Sequence, residues 1–310
     1  MRRGIISLLI AVLAVVPVAC NRDQRGASGG GEPVVGLSLS TLDNPFFVTL
    51  RDGAQEAADE AGARLDVADA RDDAQTQAND IQDFITQQVD AIIVNAVDSE
   101  AVVTSIEAAN EADIPVITVD REAEGGDIAA HIASDNEQGG EMAGDYLFEQ
   151  FGEGAKVAQL EGIAGTVPAR DRGAGFEAAA EDAGADLVAS QTANFDREEG
   201  FTVAQNIFQA NPDLEGLFAQ NDEMALGAVE AAREAGNLKD VAIVGFDAIE
   251  DALNAIEKGD MAATVAQQPD LLGKLSAESA AQIIDGESVE EEQLIEVKLV
   301  TAENVDQFLQ

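Results

Sequence analysis

From Val34 onward, short apolar runs alternate with longer stretches whose apolar positions recur at helical spacing. In the first half, 34–39, 64–68, 91–94 and 115–119 read as strands, with helices over 45–61, 74–88 and 99–112 between them. A second series begins near Asp135, with strands over 156–160, 186–190, 216–219, 241–244 and 262–265. Its helices fall at 136–151, 169–183, 197–209, 222–235 and 248–258. Strand–helix alternation of this kind predicts an α/β fold with parallel sheets covered on both faces. Two series predict two similar doubly wound lobes.

The strand ends of the two halves echo each other. One half offers Asn95 and Asp120, the other Asn221 and Asp247. Such ends point out of the ligand-facing edge of a parallel sheet, so the matched set implies a cleft between the lobes. Taken singly, each Asn reads as a helix cap, Asn95 ahead of Asp98-Ser99 and Asn221 ahead of Asp222-Glu223. The first strand hands over to the first helix through Ser40-Thr41-Leu42-Asp43-Asn44-Pro45-Phe46-Phe47, with Asn44 as cap and Pro45 at the first helical position. Consecutive helical residues point about 100° apart, so Phe46 and Phe47 cannot both face the same sheet. On position alone, one core ring and one partly exposed ring fit as well as two ligand-facing rings.

Charge narrows the partners. Sixty acidic residues against 17 basic ones give a net charge of −43, which repels nucleic acid and anionic lipid. Self-repulsion on this scale needs screening, so the composition predicts adaptation to high salt. The first residues read as a targeting segment: Arg2 and Arg3, an apolar stretch over 4–16, then Val18-Ala19-Cys20. This resembles a bacterial lipoprotein signal in which Cys20 becomes the lipid-bearing terminus, although Pro17 stands where Leu is usual. As the sole cysteine, Cys20 excludes an internal disulfide and a thiolate metal site. The stretch 25–31, with three successive glycines, reads as a flexible tether.

Catalytic signatures are missing from the sequence. It has no phosphate-binding glycine loop and no Gly-x-Ser-x-Gly elbow. His131, the single histidine, excludes a histidine-based triad or a multi-histidine metal site and reads as structural. No pair of carboxylates stands out for acid–base work, so nothing supports an enzyme. Scarce cations do stand out: Arg121 directly follows Asp120, and Arg170 and Arg172 lie in one loop. Arginine donors and aspartate acceptors suit sugar hydroxyls, and aromatic rings such as Phe46, Phe47, Phe195 and Phe246 suit the C–H faces of a sugar ring. Arg170 reads as a surface ion pair.

Together, Ser40-Thr41-Leu42 with Asn44-Pro45-Phe46-Phe47, Val119-Asp120-Arg121, His131-Ile132-Ala133-Ser134-Asp135-Asn136, Asn194-Phe195-Asp196-Arg197, Ala219-Gln220-Asn221-Asp222-Glu223-Met224 and Val244-Gly245-Phe246-Asp247 resemble the ribose-binding group of the type I periplasmic binding proteins. These are the substrate-capturing parts of ABC sugar importers, and the resemblance runs from about residue 34 to 300. It implies hydrogen bonds to a sugar from Ser40, Asn44, Asn95, Asp120, Arg121, Arg172, Asn221, Asp247 and Gln267. It also implies a ring sandwich of Phe46, Phe47 and Phe195, with Phe246 alongside. Departures lie beside these positions, at Asp43, at Val167-Pro168 and at Ala248.

The resemblance further implies a hinge of three segments near Ser134, Gln267 and Glu296, and a short closing helix over 302–309. The lobes would then be 32–134 plus 268–296 and 135–267 plus 297–310, behind a leader and tether over 1–31. The expected ligand is D-ribose or a similar monosaccharide, with another aldose such as allose, or the furanose-type autoinducer-2, left open. The expected partner is an ABC permease, with a chemoreceptor left open beside it. No cofactor, metal or nucleic acid is expected, and the protein is expected to be an extracytoplasmic monomer anchored through Cys20. Sugar-responsive repressors share the fold but carry a basic helix-turn-helix where this chain has its apolar leader.

Overall fold

Residues 32–309 are described by a computed structural model; the expectations for Cys20, the leader and the tether lie outside them. The first lobe is built from β1 (Val34–Leu39), α1 (Pro45–Ala61), β2 (Arg64–Asp69), α2 (Ala74–Gln87), β3 (Ala91–Val94), α3 (Val103–Glu111), β4 (Val116–Val119) and β5 (Ile128–Ser134). The second contains α4 (Asn136–Phe151), β6 (Lys156–Glu161), α5 (Val167–Ala183), β7 (Asp186–Thr192), α6 (Arg197–Ala210), β8 (Gly216–Ala219), α7 (Asp222–Ala235), β9 (Ala242–Asp247), α8 (Glu250–Lys258) and β10 (Ala263–Ala266). The chain then returns to the first lobe for α9 (Pro269–Ile284) and β11 (Glu292–Ile295), and ends on β12 (Lys298–Thr301) in the second.

Each sheet has six strands, ordered β11-β5-β4-β3-β1-β2 and β12-β10-β9-β8-β6-β7. All neighbours run parallel except β10 and β12. The α/β architecture of two doubly wound lobes is therefore as the alternation predicts, with three chain crossings between the sheets. Central strands read as unbroken apolar runs because both faces are covered. In the first lobe one face carries α1 and α9, the other α2 and α3; in the second, α4 and α5 oppose α6 and α7. Three helix pairs pack so closely that a carbonyl occupies the place of a Cβ: α1 with α9, α4 with α5, and α6 with α7, where Gly227 meets the Arg197 carbonyl. Gly53 of α1 meets the Asp270 carbonyl, and Gly140 of α4 meets the Arg172 carbonyl.

Several boundaries differ from the sequence reading, each for a local reason. α3 starts at Val103 rather than at 99 because Asp98 Oδ1 first accepts from the N–H groups of Glu100 and Ala101, closing a separate turn. α5 starts two residues early, at Val167, because Pro168 suits the first helical turn. α8 starts at Glu250 because Ala248 takes a left-handed φ of 61°. The closing helix shrinks to one 3₁₀ turn, Val305–Gln307. The sequence reading assigned no element to α9, β11 or β12.

Candidate functional site

Strand order reverses between β1 and β3 in one sheet and between β6 and β8 in the other, and ligands of such sheets bind at these carboxyl edges. The two edges repeat one hydrogen bond. Ser40 N–H donates to Asn95 Oδ1 (3.2 Å), and Gly162 N–H donates to Gln220 Oε1 (2.8 Å). Register makes Gln220, not Asn221, the counterpart of Asn95: Ser38 lies opposite Val94, and Leu160 opposite Ala219. Asp120 and Asp247 do correspond. Both hold positive φ, 61° and 121°, and Asn194 (51°) and Phe195 (59°) do so at the same cleft. Such backbone costs on the order of 1–3 kcal/mol per residue and persists where surrounding structure fixes it, often at functional edges.

Between the edges lies a small cavity. Asn44, Phe46, Phe47, Asp120 and Arg121 line it from the first lobe; Pro168, Arg172, Phe195, Asn221, Asp247 and Gln267 line it from the second lobe and its exit crossing. Asn44 and Asn221 serve two purposes. Each uses Oδ1 to cap a helix, accepting from Phe46 N–H (2.9 Å) and Met224 N–H (2.9 Å), while still bordering the cavity. Phe46 and Phe47 are both 4% exposed, with ring centroids 5.2 Å apart at 90°. The division into a core ring and an exposed ring does not occur, because the first turn of α1 lies under the opposite lobe.

Each lobe brings an aspartate and an arginine. Arg121 Nε lies 4.0 Å from Asp120 Oδ2, with its guanidinium 5.2 Å from the Phe47 centroid and 5.5 Å from that of Phe195. Arg172 Nη1 lies 3.8 Å from Asp247 Oδ1, and its guanidinium is 3.9 Å from the Phe246 centroid. Arg172 is fixed by donating from Nε to Asn136 Oδ1 (2.8 Å) and from Nη1 to the Gln220 carbonyl (2.7 Å). Gln267 Nε2 donates to Asp247 Oδ1 (2.6 Å). Asp120 Oδ1 and Gln267 Oε1 are buried with no protein partner, a cost that a ligand hydroxyl would relieve.

Burial dominates the titration of this cluster. It pushes Asp247 up to about 7, overriding the attraction of Arg172 and the hydrogen bond from Gln267. Asp120 is also raised by burial, with Arg172, Arg121 and Asn95 pulling the other way. Behind Asp247, Asp222 is held well above the usual carboxylate range by burial and by Asp247 itself, while accepting from Thr264 Oγ1 (2.7 Å) and Ile249 N–H (2.9 Å). Burial lowers both Arg121 and Arg172, yet guanidinium groups stay cationic.

Three expected contact residues, Ser40, Asn95 and Phe246, are not among those that border the cavity, although Ser40 Oγ is itself buried with no protein partner. Ser40 is wholly buried beside Asn95. Asn95 spends its amide on the Val119 carbonyl (3.0 Å) and Asp120 Oδ2 (3.2 Å), orienting that carboxylate rather than capping a helix. Phe246 is a platform beneath Arg172. His131 is structural, its Nδ1 2.8 Å from Thr118 Oγ1. Arg170 is a surface residue paired with Asp171 (3.1 Å) and, across the lobes, with Glu124 (3.7 Å). Sequence reasoning did not place Pro168, Asn136, Gln220 or Asp222 among the site residues, though all but Pro168 lie inside the quoted motifs.

The wall offers acceptors, fixed donors and flat apolar faces, with no Ser, Thr, Cys, His or Lys among its residues. It is built to hold a small polar molecule between two lobes. The family described as periplasmic binding protein domain matches residues 35–288, and the chain belongs to that family. The ribose import binding protein of Bacillus subtilis is 46% identical over 302 residues, 96% of this chain and 98% of that one. The protein of the same description from Haemophilus influenzae is 46% identical over 275 residues, covering 89% and 94%. An ABC transporter solute binding protein from Bacillus halodurans, solved with bound myo-inositol, superposes with a TM-score of 0.87 at 33% identity, covering 91% and 99%. Membership of the family implies a place outside the cytoplasm, and these relatives are solute-binding proteins rather than enzymes.

Proposed function

We propose that the cavity takes one molecule of D-ribose and that the loaded protein delivers it to an ABC permease. The carrying observation is the pairing of Asp120–Arg121 from one lobe with Asp247–Arg172 from the other around a single small cavity. In this reading Asn44, Asp120, Arg121, Arg172, Asn221, Asp247 and Gln267 bind the hydroxyls, and Phe46, Phe47 and Phe195 cover the ring faces. Ser40, Asn95 and Phe246 act by holding those groups. A sugar touching both lobes stabilises the closed form, and the permease reads the joined lobe surfaces.

The crossings near Ser134, Gln267 and Glu296 serve as the hinge between the lobes 32–134 plus 268–296 and 135–267 plus 297–310. The closed form also joins at the lip opposite, where Ser99 N–H donates to the Gly165 carbonyl (3.3 Å). We further assign residues 1–31 to a cleaved leader and tether, with lipid carried on Cys20. In this reading the protein works as a salt-adapted monomer, and the joined lobe surfaces leave room for a chemoreceptor beside the permease. The names of the ribose import relatives support the choice of sugar.

Calorimetric titration of the protein with ribose in high salt tests the reading. Saturable one-to-one binding near micromolar, about −8 kcal/mol, is expected, with allose, xylose, galactose and autoinducer-2 weaker. A folded sample that ignores ribose and saturates with one of the others would overturn the assignment of sugar.

A further inference from the structure

The lobes differ at one face where symmetry would make them alike. Leu37 and Gln159 are each the fourth residue of their lobe's first strand. Leu37 lies opposite Val67 and Ile93, and Gln159 opposite Ser190 and Phe218. In the first lobe this place is apolar, with Leu37 wholly buried in the core under α1. The second lobe puts Gln159 there, 0% exposed, together with Glu161 and Thr192 on the strands and Glu177 on α5.

Gln159 Nε2 donates to Glu177 Oε1 (2.9 Å) and to Ser190 Oγ (2.9 Å). A carboxylate only accepts, so this orients the amide and leaves Oε1 as a buried acceptor with no protein partner. Gln220 is likewise 0% exposed. Its Oε1 is engaged by Gly162 N–H, so Nε2 is a buried donor without a partner. Both amides border a groove between the loop 162–166 and α5. They flank the bare face of Gly173, where a Cβ would stand 3.0 Å from Gln220 Nε2 and 3.9 Å from Gln159 Oε1.

We propose that this groove is a second ligand site, distinct from the interlobe cavity, for a small neutral polyhydroxyl compound. A hydroxyl can accept from Gln220 and donate to Gln159 at once. An ammonium has no acceptor and a carboxylate has no donor. Glu161 and Glu177 in the wall repel anions, and the one cation there, Arg170, is turned toward Asp171 and Glu124. The two sites share Gln220, whose carbonyl holds Arg172 while its side chain faces the groove.

Titration of the whole protein with erythritol, followed by the side-chain amide NMR signals of Gln159 and Gln220, tests the site. Both signals are expected to shift saturably, with and without ribose present. The shift should vanish in Ala174→Trp, which sets an indole on the exposed wall of the groove without touching the core. Gln159→Leu, which installs the first lobe's residue, should abolish the Gln220 response while ribose binding and thermal midpoint stay put. Unshifted amides in the wild type would mean that the groove holds ordered water only, and would overturn the proposal. So would a shift that persists in Ala174→Trp, or one that ribose suppresses, since erythritol would then sit elsewhere.

Discussion

Asp247 is where burial, charge and hydrogen bonding meet most directly. Replacing it by Ala strands Arg172 and Gln267 in a buried setting, so Asp247→Ala should cost about 2–4 kcal/mol of ribose binding, readable by calorimetry. Its raised value also fixes the direction of pH effects. In the empty protein the carboxyl resists ionisation, so its contribution makes the fold less stable as pH rises from the ordinary 3.8 toward 7. Asp247→Asn should flatten that slope in denaturant titrations run across the interval. Ribose hydroxyls donating to the carboxylate favour the charged form and lower its value in the complex. Binding near neutral pH should therefore release protons, and affinity should fall as pH drops below about 7. Equal affinities at pH 5.5 and pH 8 would show that Asp247 does not receive a hydroxyl.

At the scale of elements, the helix contacts separate folding from binding. Gly53→Ala and Gly140→Ala both force a Cβ into a carbonyl, costing about 1–3 kcal/mol by overpacking. Only Gly140 presses on the backbone of Arg172, so Gly140→Ala should also weaken ribose binding, whereas Gly53→Ala should lower stability alone; parallel melts and titrations distinguish them. The elements carrying the wall residues were legible because most such residues stand at a strand end or a helix start, where a local motif announces them; Arg172, in the second turn of α5, is the exception. Supporting contacts were not: Asn136 and Gln220 reach Arg172 across 36 and 48 residues of chain. The true partner of Asn95 needed the strand register, since identity alone pointed to Asn221. α9 buries mostly small residues beside Leu272, and β11 alternates exposed with half-buried positions, so neither gave a strong apolar period.

Across the whole molecule, the charge of −43 makes screening part of the fold's energetics. The Debye length shrinks from about 30 Å at 0.01 M salt to about 3 Å at 1 M, so the thermal midpoint should climb steadily over that range. A flat midpoint would remove the case for salt adaptation. The triple crossing has another consequence, in the order of synthesis. When the ribosome has finished β5, α1 still lacks α9, whose Leu272, Ala277 and Ala280 complete the core beneath Leu50 and Ala54. The second lobe similarly waits for Val300 and Val305. Domains tend to fold as they emerge, but here the first core stays open until α9 and β11 are made, and the second until the last turn of chain. A nascent polypeptide held back in this way remains threadable, which would suit export across a membrane in the unfolded state.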